Sequence, residues 1–583
     1  MKQLMLGNEA VARGLFEAGC GFVSSYPGTP STEITEYAAK YDEIYAEWAP
    51  NEKVALEACF GASVYGVRSM CGMKHVGLNV AADPLFTLSY TGVNAGLVIA
   101  VADDPGMHSS QNEQDSRNYA IAAKLPMLEP SDAAESLSFT KLAFEISEKF
   151  DTPVLLKMCT RVAHSQSIVE PGERTALPVK AYAKDAAKYV MTPAFARGRR
   201  PGMEDRMQAI SEFSETSGVN RIEEGKDSEC GFITSSTSYL YVKEVFGDRF
   251  PVLKIGMCNP MPDSMIKSFA KTVKTLYIVE ELDGIMEAHV KALGIRCKGK
   301  EVFGNIGEFS QNTIRKALSV KIPDCVSADL KIPARPPVMC AGCPHRGIFY
   351  VIRKLGLTVF GDIGCYTLGS APPLYALDTT LCMGASVSGL HGFNKASQVS
   401  NFLLDGADPS NDNTVCVIGD STFLHSGMTG LANVSYNGSN STVIILDNSI
   451  TGMTGHQQNP TTGWNLKGDP AVKIDLEALC KALGIERVRV VDPYDLTRCE
   501  QVLKEELAAD EPSVIISRRP CALLKYVKHA GPLTVDPEKC VGCRSCMKVG
   551  CPAISVKNKK AVIDTTLCTG CRVCAQLCKT GAL

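Results

Sequence analysis

Eight cysteines stand in the last 44 of 583 residues, as Cys540-x2-Cys543-x2-Cys546-x4-Cys551-Pro552 and then Cys568-x2-Cys571-x2-Cys574-x3-Cys578. The chain holds 24 cysteines and is far longer than a disulfide-stapled secreted module. Thiols at that density call for metal or redox chemistry. Structural zinc takes its four ligands as two Cys-x2-Cys pairs, and two triplets with an outlying fourth cysteine do not have that form. A second place for chemistry is the stretch 413–450. The apolar run TVCVI ends at Gly419-Asp420-Ser421, a helical stretch follows, and the run TVIIL ends at Asp447-Asn448. A carboxylate and an amide oxygen at the ends of adjacent strands are donors for a hard divalent cation.

The tail resembles the bacterial two-cluster ferredoxins, in which three close thiolates wrap one cubane and the fourth cysteine of each run ligates the other cluster. The resemblance implies one [4Fe–4S] on Cys540, Cys543, Cys546 and Cys578, and a second on Cys568, Cys571, Cys574 and Cys551. Two departures stand out: x4 replaces the usual x3 in the first run, and Lys579 replaces the following proline. The longer spacer loosens a loop without removing a ligand. The stretch 413–450 resembles the thiamine diphosphate (ThDP) signature, which begins Gly-Asp-Gly and closes on an Asn. It implies Mg²⁺ held by the side chains of Asp420 and Asn448 and the carbonyl of Ile450, with diphosphate oxygens and water completing an octahedron. The adjacent helix N-terminus favours the anion. Gly419, Ser421 and the loop Thr451-Gly452-Met453-Thr454-Gly455-His456-Gln457 complete the cofactor-binding candidates. Ser421 departs from the usual glycine, which restricts backbone approach there.

The elements that must position these residues follow from patterning. With 60 basic against 63 acidic residues, bulk charge does not point to nucleic acid or an anionic membrane. At about 100–200 residues per domain, three to five domains are expected. No run approaches about 18 apolar residues, so no transmembrane helix is expected. The start, MKQLMLGNEAVARGLFEAG, reads as an amphipathic helix with Glu9 and Arg13 inside it and no signal-peptide core, which predicts a cytoplasmic protein. Through residue 165, strand-like runs (GFVSSYP, GLVIAVADDPG, PVLLKMCTR) alternate with helical ones (STEITEYAAKY, NEKVALEACFGASVYG, SDAAESLSFTKLAFEISEKF). That alternation predicts parallel α/β sheets. Residues 166–226 are polar, carry the basic knot Arg197, Arg199 and Arg200, and read as a connection. CGFITSSTSY, FPVLKIGMCNP and TLYIVEEL are strand-like, and PARPP at 333–337 punctuates the next boundary. Cys20, Cys59 and Cys480 sit in apolar context and read as core.

ThDP and ferredoxin motifs in one chain narrow the field. Over essentially its whole length the chain resembles the large (α) subunits of the indolepyruvate:ferredoxin oxidoreductases, a branch of the 2-oxoacid:ferredoxin oxidoreductases. The carriers are YPGTPST at 26–32, NEKVALEACFGAS at 51–63, CAGCPHRG at 340–347, the GDS…DN pair, TGMTGHQQNPTTG and the tail. The implied fold is α/β: several ThDP-type parallel-sheet domains plus a C-terminal two-cluster ferredoxin-like domain. The implied domains are 1–165 (pyrimidine-binding), 166–226 (connection), 227–330 (transketolase C-terminal-like), 331–530 (diphosphate and Mg²⁺) and 531–583 (two clusters). By resemblance Glu52 meets N1′ of the aminopyrimidine, with Glu57 the alternative. The other reading of Glu52 is a first-turn acid favoured by the helix dipole. Thr29 matches a family threonine near the 2-oxoacid, and otherwise is a turn residue. His108 and Arg117, in the loop PGMHSSQNEQDSR, are candidates for the substrate carboxylate, and otherwise belong to a solvated loop. Cys340, Cys343, Cys365 and Cys521 lie in places that look like those holding a third cluster near ThDP in related enzymes. The alternative is free or buried cysteines beside a cofactor-contact loop.

The implied activity is oxidative decarboxylation of arylpyruvates, with coenzyme A (CoA) taking the acyl group and ferredoxin the electrons. Related single-chain enzymes carry a further domain not found in this sequence. A smaller β subunit and an (αβ)₂ assembly are therefore expected, in an anaerobic host, with no nucleic-acid or membrane partner. The rivals are a non-oxidative ThDP decarboxylase, a non-catalytic electron-transfer subunit, and an enzyme for another 2-oxoacid.

Overall fold

The structure, a computed structural model, describes residues 1–324, 330–333, 335–403 and 413–583. The boundary expected near PARPP falls partly outside that set, at 325–329 and 334. The chain divides into two compact units, 1–328 and 329–583.

The first unit is built on a seven-stranded sheet. Its spatial order is Met257–Asn259, Met127–Leu128, Val154–Cys159, Leu97–Asp103, Ser69–Lys74, Phe22–Ser25 and Tyr45–Trp48. All pairings are parallel except that of Met257–Asn259 with Met127–Leu128. Every residue of Leu97–Asp103 is buried, the signature of a strand covered on both faces and the reason it reads as one apolar run. Asn51 caps the helix Glu52–Tyr65 by accepting from the Val54 N–H, and Asp132 caps Ala133–Phe150 by accepting from the Glu135 N–H.

A four-stranded sheet follows, in the order Thr275–Val279, Cys230–Ser235, Val252–Ile255 and Arg221–Glu223, the last antiparallel. The two sheets share a core in which Leu253, Ile255 and Phe269 join Leu97 and Ile99.

Four departures from patterning have physical causes. FPVLKIGMCNP is two strands in two sheets. Gly256 makes the crossing, where an added Cβ would lie 2.3 Å from the Val219 carbonyl oxygen. CGFITSSTSY ends as a strand at Ser235 and continues as the helix Ser236–Phe246. The amphipathic start opens with the strand Gln3–Leu6, paired antiparallel to Gln166–Val169, before the helix Gly7–Glu17. The polar stretch 166–226 carries a 24-residue helix, Pro193–Thr216. Its basic knot is part of a clamp: Arg199 donates to the Tyr90 carbonyl at 2.7 Å, and Arg206 to the Ser89 and Asp151 carbonyls at 2.5 and 2.9 Å. A helix held by carbonyls shows no apolar period.

The second unit is a six-stranded parallel sheet in the order Thr379–Thr380, Thr358–Gly361, Thr414–Gly419, Thr442–Asp447, Ser513–Arg518 and Arg487–Val491. The tail follows with the antiparallel hairpin Ile554–Lys557 and Lys560–Ile563. The tail is not a satellite. Val549, Ile554 and Val573 share one core with Ile348, Val415 and Ile444. Among the described residues no helix is long and apolar enough to cross a membrane.

Candidate active site

In the second unit Gly419 ends one central strand and Asp447-Asn448 ends its parallel neighbour, with Gly419 in register with Leu446. An added Cβ at Gly419 would lie 2.8 Å from the Tyr366 ring, so only glycine fits beneath that ring. Helix starts at Asp420, passes through a π-helical turn at Phe423–Gly427 and continues as Met428–Asn437. Such turns are frequent at functional sites.

The two aspartates of the motif differ. Asp447 pairs with Arg518 at 2.8 Å. Asp420 is buried and, among the described residues, has no cationic partner. It accepts from the Ser421 N–H at 2.7 Å, and the Thr461 hydroxyl lies 3.3 Å away. Burial, with Asp447 nearby, pushes the Asp420 carboxyl up to about 7. A buried carboxylate held without a counter-ion fits a bound divalent cation.

Asn448 starts the turn, Ser449 takes φ +59°, and the Asn448 Oδ1 accepts from the Ile450 N–H at 3.3 Å. The loop closes on itself: Thr451 and Gln457 exchange backbone hydrogen bonds, and the Thr451 hydroxyl donates to the Ser421 hydroxyl at 3.0 Å. Gly452 lies over Cys365, an added Cβ falling 3.5 Å from its Sγ. Met453 is exposed.

Two of the scattered thiols, Cys365 and Cys521, meet this turn. The Cys521 N–H donates to the Asn448 carbonyl at 2.9 Å. Cys365 is pushed up to about 11 by burial and by Cys521 and Cys340. Cys343 is pushed up to about 12 by burial, with Cys365 and Cys340 adding to the effect. Of the four, Cys365 and Cys521 thus stand at the turn that follows Asn448, while Cys343 lines the tail cavity of Cys551, Cys568, Cys571 and Cys574.

In the tail, one cavity is lined by Cys540, Cys543, Cys546 and Cys578. A second is lined by Cys551, Cys568, Cys571 and Cys574, with Cys343 as a fifth thiol in its wall. Thiols grouped around a cavity suit a polyatomic cluster. Among the described residues no three His, Cys, Asp or Glu side chains converge tightly enough for a single ion.

In the first unit Glu52 is buried at the start of its helix. Its carboxylate lies over Gly77, where an added Cβ would fall 2.5 Å from Oε1. Glu57 is half-exposed and ion-paired to Lys53. Thr29 is half-buried in its turn.

Arg117 is buried in a cluster of ion pairs. It is 2% exposed, and its guanidinium is bound by Asp115 at 2.5 Å and Glu280 at 2.6 Å, with the Glu281 and Asp283 carbonyls also accepting from it. His108 is on the surface, 3.2 Å from Glu308, which also binds Arg161. Burial saturates Arg117, and the half-buried Glu308 carboxylate holds the exposed His108.

Comparison with known proteins agrees with this geometry. The family described as pyruvate flavodoxin/ferredoxin oxidoreductase, thiamine diP-binding, matches residues 13–223. The C-terminal TPP-binding domain of thiamine pyrophosphate enzymes matches 362–517, and a 4Fe-4S dicluster domain matches 532–579. The indolepyruvate oxidoreductase subunit IorA of Archaeoglobus fulgidus is 39% identical over 100% of this chain and 97% of its own. That of Pyrococcus horikoshii is 40% identical over 100% and 96%.

The chain belongs to the indolepyruvate oxidoreductase IorA family. It is accordingly a ThDP-dependent 2-oxoacid:ferredoxin oxidoreductase with iron–sulfur clusters, and the subunit designation implies a partner subunit. Among solved structures, a 2-oxoglutarate:ferredoxin oxidoreductase from Magnetococcus marinus overlays with TM-score 0.46 at 18% identity, covering 55% of this chain and 65% of that one.

Three residues of this IorA-family chain escaped sequence reasoning. Lys74 is 8% exposed at a strand end. Its ammonium donates to the Ser109 carbonyl at 2.7 Å, and an added Cβ at Gly28, beside Thr29, would lie 3.1 Å from the Lys74 Cβ. Burial lowers Lys74 to about 8, against the pull of Asp104. His345 is buried 3.5 Å from the Asn448 amide, and burial lowers it to about 4, so it is neutral. Arg346 is buried between the Cys340/Cys343 loop and the tail. The carrier CAGCPHRG held the signal for the last two, and nothing short of burial could have singled out Lys74.

Proposed function

We propose that this chain is the large subunit of an enzyme that oxidatively decarboxylates arylpyruvates. Overall, a 2-oxoacid anion, CoA and two oxidised ferredoxins give an acyl-CoA, CO₂, two reduced ferredoxins and a proton. The observation that supports the reading is that Cys521 donates its N–H to the Asn448 carbonyl and Cys365 lies under Gly452, so two of the four candidate thiols for a third cluster stand at the turn after Asn448. A redox centre there gives electrons an exit at the point of their release, which a decarboxylase returning an aldehyde does not need.

Bound ThDP supplies a nucleophilic carbon and an electron sink for the loss of CO₂. Asp420, Asn448 and the Ile450 carbonyl hold Mg²⁺ for its diphosphate, with Gly419, Ser421, Thr451, Gly452 and Met453 forming the cradle. The buried Glu52, and not the surface Glu57, takes the aminopyrimidine-facing role. Thr29 and Lys74 meet the substrate carboxylate in place of Arg117 and His108. Cys340, Cys343, Cys365 and Cys521 hold a third cluster, and the two tail sets hold one each. The aryl preference rests on the relatives' name, and CoA on the need for a nucleophile to take the acyl group. The partner is a smaller β subunit in an (αβ)₂ assembly.

The test is ferredoxin reduction by the reconstituted two-subunit enzyme with indolepyruvate, pyruvate and 2-oxoglutarate, with and without CoA. CoA-dependent reduction fastest with indolepyruvate is expected. Aldehyde release without ferredoxin reduction overturns the proposal, and a preference for pyruvate or 2-oxoglutarate overturns its substrate.

A further inference from the structure

Arg346 has surroundings unusual for a buried arginine. It is 4% exposed, and among the described residues no carboxylate pairs with it. Its guanidinium donates only to carbonyl oxygens: Cys340 at 3.0 Å, Met339, Val549 at 3.1 Å and Gly550 at 2.5 Å. Two of those carbonyls belong to the loop that opens with Cys340 and two to the segment just before Cys551. Burial disfavours its charge, and the groups that favour it are the Cys343, Cys551, Cys340 and Cys571 thiols. Cys340 and Cys343 belong to the set proposed for the third cluster and Cys551 and Cys571 to a tail set, and Arg346 and Cys343 both line the cavity of that tail set. The two loops touch at the same place: an added Cβ at Gly342 would lie 2.2 Å from the Thr569 hydroxyl oxygen, and Tyr494 donates its hydroxyl to the Gly342 carbonyl at 2.5 Å. A single positive charge is thus clamped among cysteines of both sets, with no carboxylate paired to it among the described residues.

We infer that Arg346 is an electrostatic positioning residue shared by two iron–sulfur clusters, holding their loops together and raising the reduction potential of both. The inference rests on the third-cluster reading above. A four-thiolate cluster is anionic and gains one more negative charge on reduction. A fixed cation in a low-dielectric site stabilises the reduced form more than the oxidised one. The transfer it supports moves one electron from the reduced cluster at Cys340/Cys343 to the oxidised cluster at Cys551/Cys571. No bond changes, and the guanidinium stays protonated.

The experiment is an anaerobic redox titration followed by EPR on the full chain with its partner subunit, comparing the unaltered protein with Arg346→Gln and Arg346→Lys, each with iron counted. About twelve iron per chain in the unaltered protein upholds the third cluster; about eight overturns that reading and the inference with it. With twelve present, R346Q is expected to lower the midpoints of both clusters by at least a tenfold change in their reduction equilibria, about 59 mV for one electron. R346K, which keeps the charge, is expected to stay within a threefold change. Unmoved midpoints in iron-replete R346Q, or a shift in one cluster alone, overturn the inference while leaving the third cluster standing. If R346Q does not hold its iron, the unaltered protein still decides. Spin–spin broadening between the two reduced clusters is expected, and its absence means that they do not flank one residue.

Discussion

Asp420 and Asp447 stand two strands' ends apart in one motif, and their partners sort their roles. Arg518 already balances Asp447, so Asp420 is the group left to a cation. A folded-state pKa raised to about 7 from 3.8 means that the carboxyl adds stability only while protonated. That contribution is lost as pH rises through about 7. We expect Asp420→Asn to make the ThDP-free protein more stable at pH 8 by about 1–3 kcal/mol, the scale of the penalty for one unsatisfied buried polar group. The same change should abolish Mg²⁺-dependent ThDP binding. Calorimetry with and without cofactor checks both, and equal cofactor affinity would remove Asp420 from the metal.

Lys74 makes an opposite prediction at the substrate. Its pKa, lowered to about 8, leaves the ammonium charged below that pH and neutral above it. A carboxylate is therefore held below pH 8 and released above. The expected profile is a fall in kcat/KM for the 2-oxoacid as pH rises through 8, with kcat breaking at higher pH because the bound anion favours the charged form. Lys74→Arg should carry the break upward, and a profile unchanged in K74R counts against the contact.

At the scale of elements, Arg117 shows where reading a loop in sequence fails. Its polar neighbourhood allowed a substrate contact or a solvated loop, but Glu280, 163 residues away, draws it inside and ties the loop to the second sheet. Breaking a buried ion pair costs about 3–5 kcal/mol. Arg117→Met should therefore lower the unfolding midpoint of the first unit while the folded enzyme keeps its KM. A raised KM at full stability would restore Arg117 to the substrate. What was legible lay within one local run: the helices at 52–65 and 133–150, the fully buried strand Leu97–Asp103, and the spacing of the tail cysteines. What was not legible depends on distant partners: the clamp of Arg199 and Arg206 on Tyr90, Ser89 and Asp151, and the change of sheet at Gly256. The four scattered thiols fall between these cases. That Cys365 and Cys521 follow strand-like runs was readable, but the approach of Cys521 to Asn448 requires the sheet order.

At the scale of the molecule, the tail cannot be read as an accessory. Val549, Ile554 and Val573 complete the core beneath the diphosphate sheet. A chain ended at residue 530 is therefore expected to aggregate and not to persist as a simple decarboxylase. Limited proteolysis and sedimentation of that truncation check this. A soluble, ThDP-binding product would show that the two parts fold separately.

That shared core also makes iron an assembly signal. Folding is linked to metal wherever the metal's ligands are part of the structure. A chain translated without iron would bring slack tail loops to the back of its own catalytic sheet and leave apolar surface open to proteases. Scarcity would then thin the population instead of leaving a standing pool of idle molecules. The amount of the protein in the cell, more than its turnover, would follow the supply of the element.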